Sequence, residues 1–301
     1  MESANPTSQS DVPPRRFPFL TIAAVLWSIF VFAVLATESQ KKDLTFDSLT
    51  KWGAAPGQEV WQGKYWTLFT SVFVHAAWWH CAFNCYWLMI FGTLLERRLG
   101  RVTYLLFFAA SAFVSSSFEL AAAGDTGIGA SGVVYAMFGL LLPFRKRWSE
   151  VTEHLSRQIV ALMLIWLVGC LIVTRLDVIS IGNAAHVSGM TFGLAVGGLF
   201  LPWPKRTVKT VIAGHLALAL LFLFWCPWSI NWLTIQAYKA HSTDRYAEAI
   251  ALYSKIIEKD PASSWAYHNR ASAYQSLGRD HEAASDLDTA QKLDSRSSPV
   301  N

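Results

Sequence analysis

The chain has 301 residues, 53% of them hydrophobic and only 15% charged, with a formal net charge of +4. A soluble domain carries about 25% charged residues, so this composition excludes a wholly water-soluble protein. No basic face interleaves with exposed aromatic residues, so no nucleic-acid partner is expected.

The charge deficit is local. Residues 18–228 are apolar with short polar breaks, whereas 236–301 have the composition of soluble protein. A polar tail, 1–17, ends in Arg15-Arg16 and runs into a full-length apolar stretch without a small-residue cleavage site. That pattern reads as a first transmembrane helix and not as a signal peptide. A helix needs about 20 apolar residues to cross a bilayer. Seven segments are expected to do so: about 18–37, 77–95, 102–122, 130–144, 158–174, 180–201 and 209–228. The fourth is short, and suffices if its glycine-rich start is buried in protein.

With an inner N-terminus, the inner segments hold twelve Lys and Arg residues, and the outer loops of the membrane region hold five: Lys41, Lys42, Lys51, Lys64 and Arg175. The asymmetry predicts a cytoplasmic N-terminus, and seven crossings then put the C-terminal region outside. Trp61, Trp66, Trp78, Trp79, Trp148, Trp203, Trp228 and Trp232 fall near span ends and read as interfacial anchors. Cys81, Cys85, Cys170 and Cys226 lie in apolar segments at spacings that fit neither a disulfide framework nor a zinc ribbon. A long first outer loop, about 38–76, mixes charge with Trp52, Trp61, Tyr65 and Trp66, which favours a functional or independently packed loop.

Beyond Trp232 a period of 34 appears: Ala237 is repeated at Ala271, and Ala249, Tyr253, Ile256 and Pro261 are echoed by Ala283, Leu287, Ala290 and Ser295. This period resembles the tetratricopeptide repeat, with Asp244–Ala249 and Gly278–Ala283 as turn and second helix. Two repeats are fewer than a solenoid needs. They are expected to lean on the outer loop, on the end of the seventh span or on another chain. The expected domains are a tail 1–17, a six-helix core 18–204, a seventh transmembrane helix 205–232, repeats 233–295 and a tail 296–301. The fold class is an all-α membrane protein carrying a small helical repeat module.

Three spans carry chemistry. In the second, His80 and Asn84 are four residues apart and share a helix face. They suit either interhelical hydrogen bonding or donation to a developing oxyanion. His75, at the mouth of this span, reads as an anchor for the outer loop. The fourth span starts Gly129-Ala-Ser131-Gly132, with Tyr135 one turn on. A serine at a helix N-terminus meets unpaired backbone N–H groups and the positive end of the helix dipole. In the sixth span Ala185, Gly189, Gly193 and Gly197 recur every four residues beside His186, and Gly132, Ala136 and Gly139 form a matching seam on the fourth. Packing seam on seam is expected to bring hydroxyl and imidazole together, as nucleophilic acyl transfer requires. Glu119 and Asp125 read as loop carboxylates and Asp177 lies far off, so a dyad is expected, with Tyr135 stacked on His186.

His75…His80-x-x-x-Asn84, Gly129-Ala-Ser131-Gly-Val-Val-Tyr135 and Asn183-Ala-Ala-His186 with its glycine seam resemble the rhomboid family of intramembrane serine proteases over about residues 18–201. The resemblance implies Ser131 as nucleophile and His186 as general base. It implies an oxyanion hole of His80, Asn84 and the Ser131 N–H, supported by Gly129, Gly132, Tyr135, His75 and Asn183. It also implies cleavage of single-pass membrane proteins near the outer face. The lack of a clear organelle-targeting segment leads us to expect a bacterial plasma membrane. The family often has Trp-Arg in the first loop, where this chain has Trp66-Thr67. Two rivals stand beside this reading. One is a catalytically silent rhomboid-like scaffold that binds clients through its repeats. The other is a metal site of His75, His80 and His186, which lacks a His-Glu-x-x-His helix and leaves the serine without a role. No metal or cofactor is expected. The repeat module is expected to recruit a protein partner or to mediate self-association.

Overall fold

Residues 16–39 and 46–297 are described by a computed structural model. The tail 1–15, with Arg15, the loop lysines Lys41 and Lys42, and residues 298–301 lie outside the described residues. Every regular element described is helical. In chain order they are α1 (Phe19–Ser39), α2 (Phe46–Lys51), α3 (Gly57–Trp61), α4 (Thr67–Thr70), α5 (Trp78–Leu99), α6 (Arg101–Ala123), α7 (Ser131–Leu141), α8 (Ser149–His154), α9 (Arg157–Arg175), α10 (Asn183–Gly198), α11 (Lys205–Phe224), α12 (Ile230–Ser242), α13 (Tyr246–Lys259), α14 (Ser264–Ser276) and α15 (Asp280–Ser297).

Each expected span coincides with one helix: α1, α5, α6, α7, α9, α10 and α11. Four of these, α1, α6, α9 and α11, are long and apolar enough by themselves to cross a bilayer. The chain is an all-α integral membrane protein. It divides into two compact units, one of residues 1–56 and 64–222, the other of 57–63 and 223–301.

In the first unit α7 is the hub. Its residues from Gly132 to Leu141 are all buried. A helix apolar on every side is stable only inside a larger bundle, and α5, α6 and α10 surround this one. The α7–α10 contact is backbone on backbone. A Cβ added at Gly189 would overlap the Gly132 carbonyl, one at Gly193 the Ala136 carbonyl, and one at Gly139 the Met190 carbonyl. On α9 the side chains of Ile165, Val168 and Ile172 are exposed, as are Leu218, Leu220 and Leu221 on α11. Outward apolar faces of this kind suit lipid. Glu96, near the end of α5, is buried and ties down the start of α1: it accepts from Thr21 N at 2.8 Å, Thr21 Oγ1 at 2.8 Å and Leu20 N at 3.0 Å. These bonds satisfy two N–H groups of the first turn of α1, which have no partner within the helix.

The eight tryptophans read as anchors divide into two sets. Trp66, Trp78, Trp79, Trp203 and Trp228 are exposed, as anchors must be, but Trp61 is buried in the second unit and Trp232 packs against that unit's core. Trp148 is held between Phe144, at 3.9 Å between ring centroids, and the Arg98 guanidinium, 4.4 Å from its ring. Packing, not the interface, accounts for these three.

The second unit is two helical hairpins, α12–α13 and α14–α15, and the 34-residue period is visible in its packing. Ala237 and Ala271 are buried, as are Ala249 and Ala283, and Ile256 and Ala290. The turn positions correspond as well: Asp244 has φ 58° and Gly278 φ 69°. The period fails at one pair. Tyr253 is buried against Trp265 of the next hairpin, whereas Leu287, with no later hairpin described, is exposed. The module leans on the loop between α1 and α5, since α3 packs on α12 and the Gln58 amide donates to Asn231 Oδ1 at 3.2 Å.

The glycine seam predicts contrasting effects of one chemical change. Gly193→Ala places a methyl group against a backbone carbonyl that has no room to retreat and should cost about 3 kcal/mol. Gly214→Ala on α11, with nothing within 4 Å, should be neutral or slightly stabilising. Thermal denaturation of both variants in detergent measures the difference.

Candidate active site

Two helix starts face each other. Ser131 is the first residue of α7, and His186 lies in the first turn of α10. His186 Nε2 and Ser131 Oγ are 2.7 Å apart. His186 is buried and Ser131 half-buried. The imidazole rests on Tyr135, with ring centroids 4.8 Å apart at 34°, and the Tyr135 hydroxyl donates to the Met163 carbonyl at 2.9 Å. Tyr135 thus fixes the ring from one side while being fixed itself. His186 Nδ1 is buried without a hydrogen-bond partner. Among the described residues, no carboxylate bonds to the ring behind the Ser131 contact.

His80 and Asn84 reach the same place from α5. A Cβ at Gly129, whose φ is +100°, would lie 2.5 Å from His80 Cε1 and 3.1 Å from Asn84 Nδ2. Only glycine holds the left-handed backbone here and also admits both side chains beside the turn that leads into Ser131. Gly132 does the same on the other flank, where a Cβ would meet Ser115 Cβ at 2.6 Å.

His75 does more than anchor the loop. Its Nδ1 lies 3.2 Å from the Phe73 carbonyl and its Nε2 3.1 Å from Asn84 Nδ2. The carbonyl can only accept, so Nδ1 carries the proton and Nε2 accepts from the Asn84 amide. Both ring nitrogens are committed, which leaves neither to face a metal. Burial, with His80 adding a smaller effect, pushes the His75 pKa down to about 3.

Asn183 does not reach the serine. Its Nδ2 donates to Thr174 Oγ1 at 2.8 Å and to the Ile181 carbonyl at 3.1 Å, binding the loop before α10 to the end of α9. Thr67, in the place where arginine was expected, is buried and donates to the Lys64 carbonyl at 2.8 Å, closing a local turn.

One sequence reading is corrected. Glu119 is not in a loop: it lies in the last turns of α6, is buried, and accepts the Ala185 N–H at 3.0 Å. Leu120 and then three alanines follow it in the sequence, and the helix continues to Ala123. Asp125 is a loop residue, accepts the Thr126 N–H at 2.8 Å, and has its carboxyl pKa raised by burial. Ser131, Tyr135, His186, His80, Asn84 and Glu119 all line one cavity of 820 Å³ in the first unit. Reasoning from sequence missed Glu119 in this lining. The available signal was a single acidic residue inside an apolar run of membrane length.

Comparison with known proteins agrees with this architecture. A rhomboid-domain family model matches residues 62–203, and a tetratricopeptide-repeat model matches 252–292. Residues 62–203 are thus similar to a rhomboid domain, and the C-terminal end is similar to a tetratricopeptide repeat. Its relatives include the rhomboid protease GlpG of Salmonella choleraesuis (strain SC-B67), of Salmonella newport (strain SL254) and of Salmonella enteritidis PT4. Each is 29% identical over 189 residues, which are 60% of this chain and 67% of the relative.

The His75 environment predicts a pH dependence of stability. A histidine with its pKa lowered from 6.5 to about 3 binds a proton in the unfolded chain before it does so in the folded one. Its stabilising contribution is therefore complete above pH 6.5 and is lost as pH falls from there toward 3. Chemical denaturation in detergent should show His75→Gln, which does not titrate, losing less stability than the parent across that window.

Proposed function

We propose that the protein is an intramembrane serine endopeptidase that cleaves transmembrane segments of single-pass membrane proteins near the outer face, through a Ser131–His186 dyad. The 2.7 Å contact between Ser131 Oγ and His186 Nε2, in the lining of a cavity, carries this reading.

In this mechanism His186 Nε2 takes the Ser131 proton as Oγ attacks the scissile carbonyl. The tetrahedral oxyanion is met by the N–H groups at the start of α7, by Asn84 Nδ2 and by His80, with the α7 dipole adding to the field. The imidazolium returns its proton to the leaving amine, the peptide C–N bond breaks, and an ester remains on Ser131. Water then attacks the ester with His186 again as base, which releases the acid and restores the hydroxyl. Tyr135 keeps the imidazole aligned through the cycle. A substrate helix must unwind locally first, because a helical peptide bond is shielded by its own hydrogen bonds.

The proposed organisation is a tail 1–17, a protease core 18–204, a seventh span 205–232, repeats 233–295 and a tail 296–301, in a bacterial plasma membrane. An inner N-terminus is supported by the basic residues. An outer repeat module is supported by α3, since an outer-loop segment and the C-terminal residues share one compact unit, and such a unit lies on one side of a bilayer. The module is proposed to recruit clients or to mediate self-association.

Ser131→Ala should abolish both cleavage of a reporter membrane protein and labelling by a fluorophosphonate, a loss of about 10⁴-fold or more, with the thermal transition in detergent retained. Full cleavage by that variant would rule out the nucleophile. Absence of labelling in the parent protein would favour a silent client-binding scaffold instead. Deleting 233–295 should alter substrate choice or assembly and leave labelling at Ser131 within about threefold, a window small beside the triad-member losses.

A further inference from the structure

The start of α10 has no cap of its own. Its N-cap position is Gly182, which has no side chain to offer. The first N–H groups of a helix need partners from elsewhere, and here three can be followed. The Asn183 N–H goes to the Ile181 carbonyl at 2.8 Å, and the His186 N–H goes to the Gly182 carbonyl at 3.1 Å. Between them, the Ala185 N–H goes to the carboxylate of Glu119, at 3.0 Å to Oε2. One side chain of α6 thus supplies the cap for α10 across the bundle.

The same side chain also touches the approach to the nucleophile. A Cβ at Gly182 would lie 3.5 Å from Glu119 Cδ and Oε2, and one at Gly127, with φ +68°, would lie 3.4 Å from Glu119 Cγ. Glu119 therefore sits between the turn that leads into Ser131 and the turn that leads into His186, with glycine on each side. Its negative charge also faces the positive end of the α10 dipole, a favourable pairing.

We propose that Glu119 is a positioning residue for the dyad: by capping α10 at Ala185, it fixes the height and rotation of His186 against Ser131. It acts through the backbone one residue before the base. This assignment rests on the Ser131–His186 reading for its chemical consequence but not for the capping contact itself.

The test compares Glu119→Leu, which removes both acceptors, with Glu119→Gln, whose amide oxygen can still accept from Ala185. Two measurements are made on the full chain in detergent. The first is the rate constant and the half-saturating concentration for fluorophosphonate labelling of Ser131. The second is amide hydrogen exchange of peptides covering 182–190. Glu119→Leu should lower the labelling rate constant about 10- to 100-fold, as expected for a misplaced base, with little change in half-saturation. It should also accelerate exchange at Ala185. Glu119→Gln should stay within about threefold of the parent rate, small against the penalty of misplacement, and keep the slow exchange. Unchanged exchange in Glu119→Leu, or an equal rate loss in both variants, would overturn the proposal. If Glu119→Leu does not fold, the Glu119→Gln comparison still decides the matter, because loss of slow exchange there contradicts capping. A parent protein whose label does not map to Ser131 but whose 182–190 exchange responds as described would overturn the nucleophile and leave the cap in place.

Discussion

The closest backbone approach described in this molecule, that of α7 to α10, sets the position of every group in the cavity. Lipid gives no hydrophobic reason for two apolar helices to meet, so association depends on dispersion contacts at short range and on hydrogen bonds. Glycine and alanine at four-residue intervals remove the side chains that would hold the axes apart. The Gly132 carbonyl then faces Gly189, the Ala136 carbonyl faces Gly193, and Leu140 faces Gly197. A seam this tight has one register, and in that register the first residue of α7 lies against the first turn of α10. The hydrogen bond between Ser131 and His186 follows from helix packing more than from any attraction between the two side chains.

Around that contact the site is stiffened by groups that perform no chemistry. Tyr135 presses on the imidazole and is itself held by the Met163 carbonyl. His75 fixes the Asn84 amide, and the φ of Gly129 admits His80 and Asn84 to the turn before the serine. Preorganised donors are effective because they need no rearrangement when charge develops. The missing carboxylate behind His186 fits its setting. An unpaired anion at that depth is costly, whereas the carboxylate of Glu119 accepts a helix N–H that stabilises it.

The C-terminal unit follows a different physical logic. Its hairpins bury small residues at corresponding positions 34 apart, and each inner surface is completed by the next hairpin. Two hairpins leave Leu287 exposed at the far end, and at the near end α3 from the loop between α1 and α5 packs on α12. A loop segment of five helical residues could not be stable alone. It is ordered because the repeat unit buries Val60 and Trp61.

The apolar helices, their order and the approach of Ser131 to His186 were legible in the sequence, because bilayer thickness dictates the length of apolar segments and because a serine and a histidine in such segments are costly without a purpose. Glycine spacing on the fourth and sixth spans even indicated which faces meet. The 34-residue period was legible for the same reason: repeated burial demands repeated small residues. What only the tertiary structure decided were contacts between residues distant in sequence whose types carry no periodic mark. Glu119 as cap of α10, Glu96 as anchor of α1, His75 paired with Asn84 and Trp61 inside the repeat unit are of this kind. A single polar group has no pattern of its own; its partner is chosen by where the helices bring the unsatisfied backbone and side-chain atoms, and that is a property of packing.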